Sequence, residues 1–254
     1  MAIVVPKNKS VEQLQGLHLY HGAISNCSMR VRMTLVEKGV DWTSHHLDLL
    51  KKENISDDYF GINPNGLVPT LVHDGVVHIE SNEIIDYLDE TFPEPSLRPA
   101  DGDTEMLAWL RRAGSIHVPA IKPYVYATMI AKKVKKTAEE EAKYHALQTN
   151  EDLLEFHAKH AGDSMFSKDD LARSMQILEE CFTKLDNALA HNKWIMGEQY
   201  TLADISWIPI HFVLIGCGYP FDKYENITRW AKAFQQKKSF QEGIIKWCPD
   251  FSKV

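Results

Sequence analysis

The order of the predicted elements divides this chain into two parts that must fold differently. Strand and helix patterns alternate up to residue 94, whereas everything after Asp103 has helical periodicity only. The stretch "LHLY" at 17–20 predicts a strand, and "SMRVRMTLVEKG" predicts a helix over 28–39 that is stopped by Gly39. "DWTSHHLDL" then alternates like a second strand. This order is typical of an α/β layer.

Two further strands and a helix complete the predicted layer. Asp74 and Gly75 form a two-residue hairpin signal between "PTLVH" and "VVHIE". The helix "SNEIIDYLDETFPEP" follows, with Ser81 as its predicted cap and Pro93 beyond its end. We therefore predict an α/β domain of about 80 residues, given the usual lengths of such elements.

The rest of the chain is predicted to be all helix. Pro119 and Pro123 must kink or split the helical stretch 107–136. Apolar residues recur at alternating spacings of four and three and form one stripe, which consists of Leu171, Met175, Leu178, Phe182, Leu185 and Leu189. The predicted domains are an N-terminal extension (1–16), an α/β domain (17–94), a linker (95–103) and an all-helical domain (104–254).

A capping box is predicted in "GEQYTLADISW". Thr201 can accept a hydrogen bond from the backbone N–H of Asp204, whose carboxylate can accept one from the Thr201 N–H. Because such a box fixes where a helix begins, we assign these residues a structural role.

Composition and charge exclude several classes of protein. The 35 acidic residues exceed the 28 basic ones, so the net charge is −7, and binding to nucleic acid or to an anionic membrane is disfavoured. No apolar run is long enough to span a membrane, and the first residues do not resemble a signal peptide. The four cysteines lack the spacing of a disulfide framework or a zinc cluster. We expect a cytoplasmic protein without a bound metal.

The turn between the first strand and the first helix is the first candidate site. "HGAISNCSMRVR", residues 21–32, places Ser25, Cys27 and Ser28 at a predicted helix start. Unpaired backbone N–H groups and the positive end of the helix dipole stabilise an anion there, and a thiolate is an anion. Alone, the turn is weak evidence, because a lone cysteine is most often a small apolar residue.

Two further polar features are predicted at neighbouring ends of the layer. Val68 precedes Pro69 at a strand start, which is compatible with a cis peptide bond that leaves the Val68 N–H and C=O free to pair with an extended peptide. Glu80 can bind an ammonium group, and the Ser81 hydroxyl with the next helix N-terminus can bind a carboxylate. Each is ordinary alone, as a turn, a surface charge or a cap. Together they fit one end of a zwitterionic amino acid.

These features resemble the cytosolic glutathione transferases along nearly the whole chain. The resemblance is carried by "LYHGAISNCSMRVRMTLVEKG", "NPNGLVPTL", "IESNEIIDYLDETFP" and "GEQYTLADISW". It implies a thioredoxin-like first domain that binds glutathione, a helical second domain that lines the pocket for an electrophile, and a homodimer. "SNCSMRVR" is similar to the turn of zeta-class enzymes and of tetrachlorohydroquinone dehalogenase, and the long charged segment is similar to that of the lignin β-etherases.

The resemblance also implies where glutathione binds. Its γ-glutamyl end lies at Glu80 and Ser81, its cysteine pairs with Val68 before Pro69, and its sulfur points at residues 25–28.

Three side chains of the turn compete for the role at the sulfur. Ser25 is the expected donor to the glutathione sulfur, with Cys27 and Ser28 as rivals. The dehalogenase resemblance further implies a reductive route through a mixed disulfide at Cys27. The alternative is that Cys27 only packs behind the turn.

Three functions stay open. The favoured one is a glutathione-dependent enzyme that attacks a hydrophobic or aromatic electrophile by conjugation, ether cleavage or reductive dehalogenation. The second is a zeta-like maleylacetoacetate isomerase, for which "AIKPYVYATMI" offers only Lys122 as a cation for a dicarboxylate. The third is a binding module without turnover. Two residues depart from the family pattern: Leu67 stands where many relatives have glutamine or lysine, and Asn26 replaces the second serine of the zeta turn.

Overall fold

The computed structural model describes residues 2–130, 137–159 and 166–248. Within these ranges, an α/β part precedes an all-helical part, as predicted, and the sheet of the first part has five strands where four were predicted. The first part comprises β1 (Ala2–Val4), β2 (Leu17–His21), α1 (Asn26–Lys38), β3 (Trp42–His46), α2 (Asp57–Ile62), β4 (Thr70–His73), β5 (Val76–Ile79) and α3 (Ser81–Thr91). The second part comprises α4 (Asp103–Ser115), α5 (Lys122–Val125), α6 (Ala138–Leu147), α7 (Glu151–Lys159), α8 (Lys168–Ala188), α9 (Leu202–Gly216), α10 (Glu225–Phe234) and α11 (Lys238–Gly243). Short 3₁₀ segments lie at Lys9–Gln13 and Ile245–Trp247, and π-helical turns lie at His117–Ile121 and Tyr126–Ile130.

The sheet is mixed and has the strand order β1-β5-β4-β2-β3. Strands β2 and β3 are parallel and are connected through α1, whereas the other neighbours are antiparallel. β1 pairs with β5, with Ala2 opposite Ile79 and Val4 opposite Val77. The segment predicted as an N-terminal extension therefore adds an edge strand to the sheet. Three residues are too few to show the two-residue alternation by which a strand is detected in a sequence.

Helix α1 carries the candidate turn, and local chemistry fixes both of its ends. Ser25 is its N-cap, and Gly39 ends it as predicted, with a φ of 63° and its N–H bonded to carbonyls of the last turn. The helix lies between the sheet and the helical domain, in contact with α3, α9 and α11. Almost every face of α1 is therefore buried, including the side chains of Arg30 and Arg32.

The predicted hairpin is confirmed, whereas the predicted cap of the next helix is wrong. Asp74 and Gly75 join β4 to β5, with φ values of 47° and 82°. Ser81 is the first residue of α3, and Glu80 occupies the N-cap position with a φ of 65°. Glu80 redirects the chain one residue earlier than predicted and makes no side-chain cap bond. The N–H groups of Ser81 and Asn82 have no hydrogen-bond partner among the described residues and thus remain available to a ligand.

One hydrophobic core runs through both parts of the chain. It joins Leu19 and Met33 of the first part to Trp109 and Trp207 of the second. The predicted stripe of α8 is confirmed, with Leu178, Phe182, Leu185 and Leu189 buried and Leu171 and Met175 partly buried against the core. Each fully buried side chain of this size contributes about 1.5 to 3 kcal/mol to folding.

Proline splits the long helical stretch, as predicted. The π-helical turn His117–Ile121 contains Pro119, and Pro123 lies in the first turn of α5. Residues 131–136, which end the predicted stretch and begin the charged run, lie outside the described residues. The rest of that run forms α6, which is mostly exposed.

A buried ion pair attaches the linker to the first domain. The side chains of Lys38 and Asp89 are almost fully buried and pair with each other. The Asp89 carboxylate also accepts hydrogen bonds from the Leu97 N–H at 2.9 Å and forms an ion pair with Arg98 at 3.1 Å, while the Lys38 ammonium donates to the Pro95 carbonyl at 2.7 Å. The linker is therefore ordered, and it sets the position of the first domain against α4.

Asp204 organises the start of α9. It forms the predicted capping box with Thr201. Its carboxylate also accepts hydrogen bonds from the Ile195 N–H and the Trp230 indole N–H, each at 2.9 Å. Burial raises the pKa of Asp204 to about 6, although these hydrogen bonds oppose the rise.

This raised pKa predicts how folding stability depends on pH. The neutral acid is favoured over the charged carboxylate in the folded state. Asp204 therefore contributes folding stability that is fully present below the unfolded pKa of about 3.9 and is lost as the pH rises through the folded value of about 6. The free energy of unfolding of the wild type, minus that of Asp204→Asn, should fall by on the order of 3 kcal/mol between about pH 4 and pH 7. Urea unfolding at several pH values measures this difference.

A second carboxylate provides the matched control. Asp101 is exposed in the linker, so the same difference for Asp101→Asn should stay nearly constant. An equally flat difference for Asp204→Asn would contradict the prediction.

Candidate active site

A cleft of about 780 Å³ lies between the two domains. Its first-domain wall is formed by the starts of α1 and α3 and by the loop before β4, and its second wall by α4, the π-helical turn, α5 and α7. Six of the seven residues predicted from the sequence line this cleft, namely Ser25, Cys27, Val68, Pro69, Glu80 and Ser81. The sheet therefore brings the three polar features to one place.

Ser25 and Ser28 occupy different environments in the turn. The Ser25 hydroxyl oxygen accepts a hydrogen bond from the Ser28 N–H at 3.2 Å, and its own hydrogen has no acceptor within the described part of the chain. The Ser28 side chain is fully buried and accepts a hydrogen bond from the Gly22 N–H at 3.2 Å. Ser25 therefore has a donor free for a ligand in the cleft, whereas Ser28 supports the turn from behind.

Arg32 holds this turn in place. Its guanidinium is fully buried and donates to the carbonyls of Gly22 at 2.9 Å, Ala23 at 3.0 Å and Gly243 at 2.7 Å. A fourth contact joins it to the His21 Nδ1 at 3.1 Å. The cation thus satisfies three carbonyls that lie at the end of β2 and at the end of α11.

The electrostatics of this cluster favour a charged arginine beside neutral neighbours. Burial lowers the pKa of Arg32 to about 9, but this value is still high enough for the guanidinium to be charged at neutral pH. Burial and the Arg32 charge lower the pKa of His21 to about 3, so this imidazole is neutral and can accept a hydrogen bond. Burial raises the pKa of the nearby Cys248 thiol to about 11.

The predicted cis peptide bond between Val68 and Pro69 is present. The Leu67 carbonyl accepts hydrogen bonds from the Tyr59 hydroxyl at 2.6 Å and the Asn63 amide at 2.9 Å, which fixes this loop. By contrast, the Val68 N–H and C=O have no hydrogen-bond partner in the described residues. Gly66 is required in the same loop, because its φ is 61° and a Cβ there would lie 2.4 Å from the Phe60 ring.

Cys27 faces the second wall of the cleft. It is partly exposed, and its Sγ lies 4.0 Å from the Nδ1 of His117. Burial raises the pKa of this thiol, but His117, Arg30 and the Ser81 hydroxyl together lower it to about 6. The sequence analysis missed His117, which begins the π-helical turn 90 residues away along the chain.

The second wall is more basic than the sequence suggested. Besides Lys122, the side chains of Arg111 and His117 line the cleft. The Lys122 ammonium lies 4.5 Å from the centre of the Phe156 ring. Neither Lys122 nor Arg111 forms an ion pair with a described residue, so both cations can interact with a ligand.

Comparison of the sequence with models of protein families assigns this chain to a family. Residues 24–91 match the model described as "Glutathione S-transferase, N-terminal domain", and residues 117–237 match "Glutathione S-transferase, C-terminal domain". This chain is a member of the glutathione S-transferase family. The predicted glutathione transferase fold, with a thioredoxin-like first domain, is thereby confirmed, as is the prediction of an enzyme from a family whose co-substrate is glutathione.

Three curated proteins with different names are similar in sequence to this transferase. Protein LigF of Sphingobium sp. (strain NBRC 103272 / SYK-6) is 31% identical over 91% of this chain and 93% of its own length. "Glutathione S-transferase TCHQD" of Arabidopsis thaliana is 27% identical over 76% and 75% of the two chains. Maleylacetoacetate isomerase of Emericella nidulans is 27% identical over 89% and 90%. A crystal structure titled beta-etherase LigF superposes with a TM-score of 0.77 at 25% identity, covering 94% of this chain and 100% of the other.

No helix in the described ranges of the transferase is both long and apolar enough to cross a membrane. Those ranges also hold no group of three or more histidine, cysteine and acidic side chains arranged to bind a metal ion. All four cysteines are free.

The role of Arg32 in the turn predicts a loss of stability when it is replaced. Arg32→Met removes the donor from three buried backbone carbonyls, and each unsatisfied group costs about 1 to 3 kcal/mol. Part of this loss is offset because a charge no longer has to be buried. We expect the free energy of unfolding, measured with urea, to fall by roughly 3 kcal/mol.

An exposed arginine provides the control. Arg173 lies on the surface of α8, and Arg173→Met should change the free energy of unfolding by less than about 0.5 kcal/mol. Equal effects of the two substitutions would show that the buried contacts of Arg32 do not stabilise the turn.

Proposed function

We propose that this transferase binds glutathione along the first-domain wall of the cleft and uses its thiolate to attack a hydrophobic or aromatic electrophile. One observation carries the proposal. The unpaired N–H and C=O of Val68 lie in the same cleft as the starts of α1 and α3, so a short extended peptide can pair with the backbone while two helix N-termini stabilise its negative groups.

The residues of this wall fit the γ-glutamyl end and the central cysteine of the tripeptide. Glu80 supplies a carboxylate for the ammonium group of the γ-glutamyl residue. Ser81 and the uncapped N–H groups of α3 supply donors for its carboxylate. The backbone of Val68 fits the central cysteine, because a peptide in extended conformation exposes one N–H and one C=O to such a partner.

Ser25 is the residue we assign to the sulfur. Glutathione supplies the nucleophilic thiolate when it is bound. The free hydroxyl hydrogen of Ser25 and the N-terminal N–H groups of α1 stabilise that negative charge. A thiol in such a field has a pKa of roughly 3.5 to 7.5 instead of about 8.5, so a larger fraction of it is ionised at neutral pH than of a free thiol.

The second wall determines the electrophile. Leu107, Leu110, Val118 and Leu153 give the cleft an apolar side, which fits a hydrophobic or aromatic group. We therefore propose conjugation, ether cleavage or reductive dehalogenation of such a compound. Ether cleavage is supported by the similar structure titled a beta-etherase. A homodimer and a cytoplasmic location stay predictions.

Glutathione binding is tested by thermal unfolding. Glutathione at about 100 times its dissociation constant should stabilise the folded protein by about 2.7 kcal/mol and raise its melting temperature. S-methylglutathione should also raise it, because the backbone and γ-glutamyl contacts do not need a thiol. Cysteinylglycine, which lacks the γ-glutamyl group, should have little effect. The absence of any shift with glutathione would exclude the proposal.

Ser25→Ala should raise the apparent pKa of the bound thiol, because the hydroxyl donor is lost. The pH dependence of the thiolate absorbance of bound glutathione, and of the rate with an aryl halide, measures this shift. Loss of the N-cap should also cost about 1 kcal/mol of stability. Ser167→Ala is the matched control, because Ser167 is the N-cap of α8 but does not line the cleft. It should show the stability cost without the pKa shift, and an unchanged pKa in Ser25→Ala would reassign the role to another donor.

Isomerisation of an unsaturated dicarboxylate is the second candidate, and the basic second wall favours it. Lys122 and Arg111 have no carboxylate partner among the described residues, and a dicarboxylate could supply one. Lys122→Met should then raise the KM for maleylacetoacetate roughly tenfold or more, because a charge-assisted hydrogen bond is lost. The KM for a neutral aryl halide should not change. Equal activity of the variant toward maleylacetoacetate would exclude this candidate.

A screen of aryl halides, aryl ethers and maleylacetoacetate with glutathione distinguishes these functions. Turnover of a neutral aromatic compound supports the first proposal, and turnover of maleylacetoacetate alone supports the second. Binding of glutathione without turnover of any of these compounds would favour a binding module.

A further inference from the structure

A cysteine and a histidine from different domains meet in the cleft. Cys27 is the second residue of α1, and His117 begins the π-helical turn after α4. We propose that His117 accepts the proton of Cys27 and holds that side chain as a thiolate next to the position of the glutathione sulfur. The transferase then carries a nucleophile of its own, and His117 is its positioning residue.

The geometry supports a direct interaction between the two side chains. The Sγ of Cys27 and the Nδ1 of His117 are 4.0 Å apart, within the range of a hydrogen bond to sulfur. The His117 imidazole has no other hydrogen-bond partner in the described residues, so the fold does not use this ring for another purpose. Both residues line the cleft, so a substrate can reach them.

The surroundings of Cys27 favour the charged form. Arg30 is buried beneath it, and its Nε has no hydrogen-bond partner. The Ser81 hydroxyl also lowers the pKa of this thiol. Burial lowers the pKa of Lys122, and the negative charge of the Cys27 thiolate opposes that effect. The carboxylates that line the cleft are those of Glu80, Glu83, Asp86 and Asp152, and none of them forms an ion pair with His117 within the described residues.

The other cysteines show that this environment is specific. Burial raises the pKa values of Cys181, Cys217 and Cys248, whereas the pKa of Cys27 is lowered to about 6. A thiol with this pKa is mostly ionised at neutral pH.

The proton transfer is balanced within the pair. The S–H bond of Cys27 breaks, an N–H bond forms at the His117 Nδ1, and the products are a thiolate and an imidazolium. No oxidant or co-substrate is needed. The ionisation does not depend on the proposed function, whereas the position of the thiolate next to a bound sulfur rests on it.

Alkylation of the free protein tests the pair without glutathione. The rate at which iodoacetamide modifies Cys27, followed by peptide mass spectrometry, should rise with pH with an inflection near 6. In His117→Gln the inflection should move toward about 8.5, and the rate at neutral pH should fall roughly tenfold or more. Cys217 is partly exposed in the same protein and serves as an internal standard.

A second histidine and a second measurement complete the test. His191→Gln changes an exposed histidine outside the cleft and should leave the Cys27 inflection unchanged. The ultraviolet thiolate absorbance of the wild type, minus that of Cys27→Ser, reports the same titration without any change at His117.

A wild-type inflection at the ordinary thiol pKa of about 8.5 would overturn the proposal. So would an inflection near 6 that persists in a folded His117→Gln protein. A failure to bind glutathione would affect only the function proposed above, because neither measurement contains glutathione.

Discussion

The site depends on a buried positive charge that has no negative partner among the residues that the structure describes. Arg32 donates to backbone carbonyls of Gly22, Ala23 and Gly243, and its charge is compensated by these dipoles and by a neutral histidine. The geometry of the β2–α1 turn follows from these bonds, because the carbonyls must point inward to reach the guanidinium. The N–H groups that follow them at the start of α1 can then face the cleft. A chain with an apolar residue at position 32 would have to find other donors for the same carbonyls.

The cleft itself is a product of how α1 and α3 pack against the helical domain. Asn82, the second residue of α3, accepts hydrogen bonds from Arg30 of α1 and from Ser206 of α9, and it donates to the Leu110 carbonyl of α4. One amide side chain thus connects four helices directly below the cleft. The two walls therefore have a defined separation, which brings His117 within reach of Cys27.

Local patterns were sufficient to predict most of the helices and strands and much of the first wall, whereas β1 and α2 were not predicted. Gly39, the Asp74–Gly75 pair and Pro119 act through backbone conformation, which depends on the residue itself, and all three predictions are confirmed. Ser25 and Ser28 could not be distinguished in the same way, because they lie in one helical turn, and only the packed structure shows which hydroxyl faces the core. His117 was missed for a different reason. It meets Cys27 through contacts between domains, and a sequence contains no local signal for such a contact.

The bond from Arg32 to Gly243 has a consequence for the biosynthesis of the protein. Helix α11 lies close to α1, so that a Cβ at Gly243 would be 2.9 Å from the Met33 amide nitrogen. Trp247 packs against the His21 ring, and the Cys248 thiol donates to the Ala23 carbonyl at 3.2 Å. The turn near the beginning of the chain is thus completed by residues close to its end. Until the residues of α11 and the segment up to Cys248 have been synthesised, the first domain lacks these partners, and its β2–α1 turn acquires its full set of contacts only after synthesis has passed residue 248.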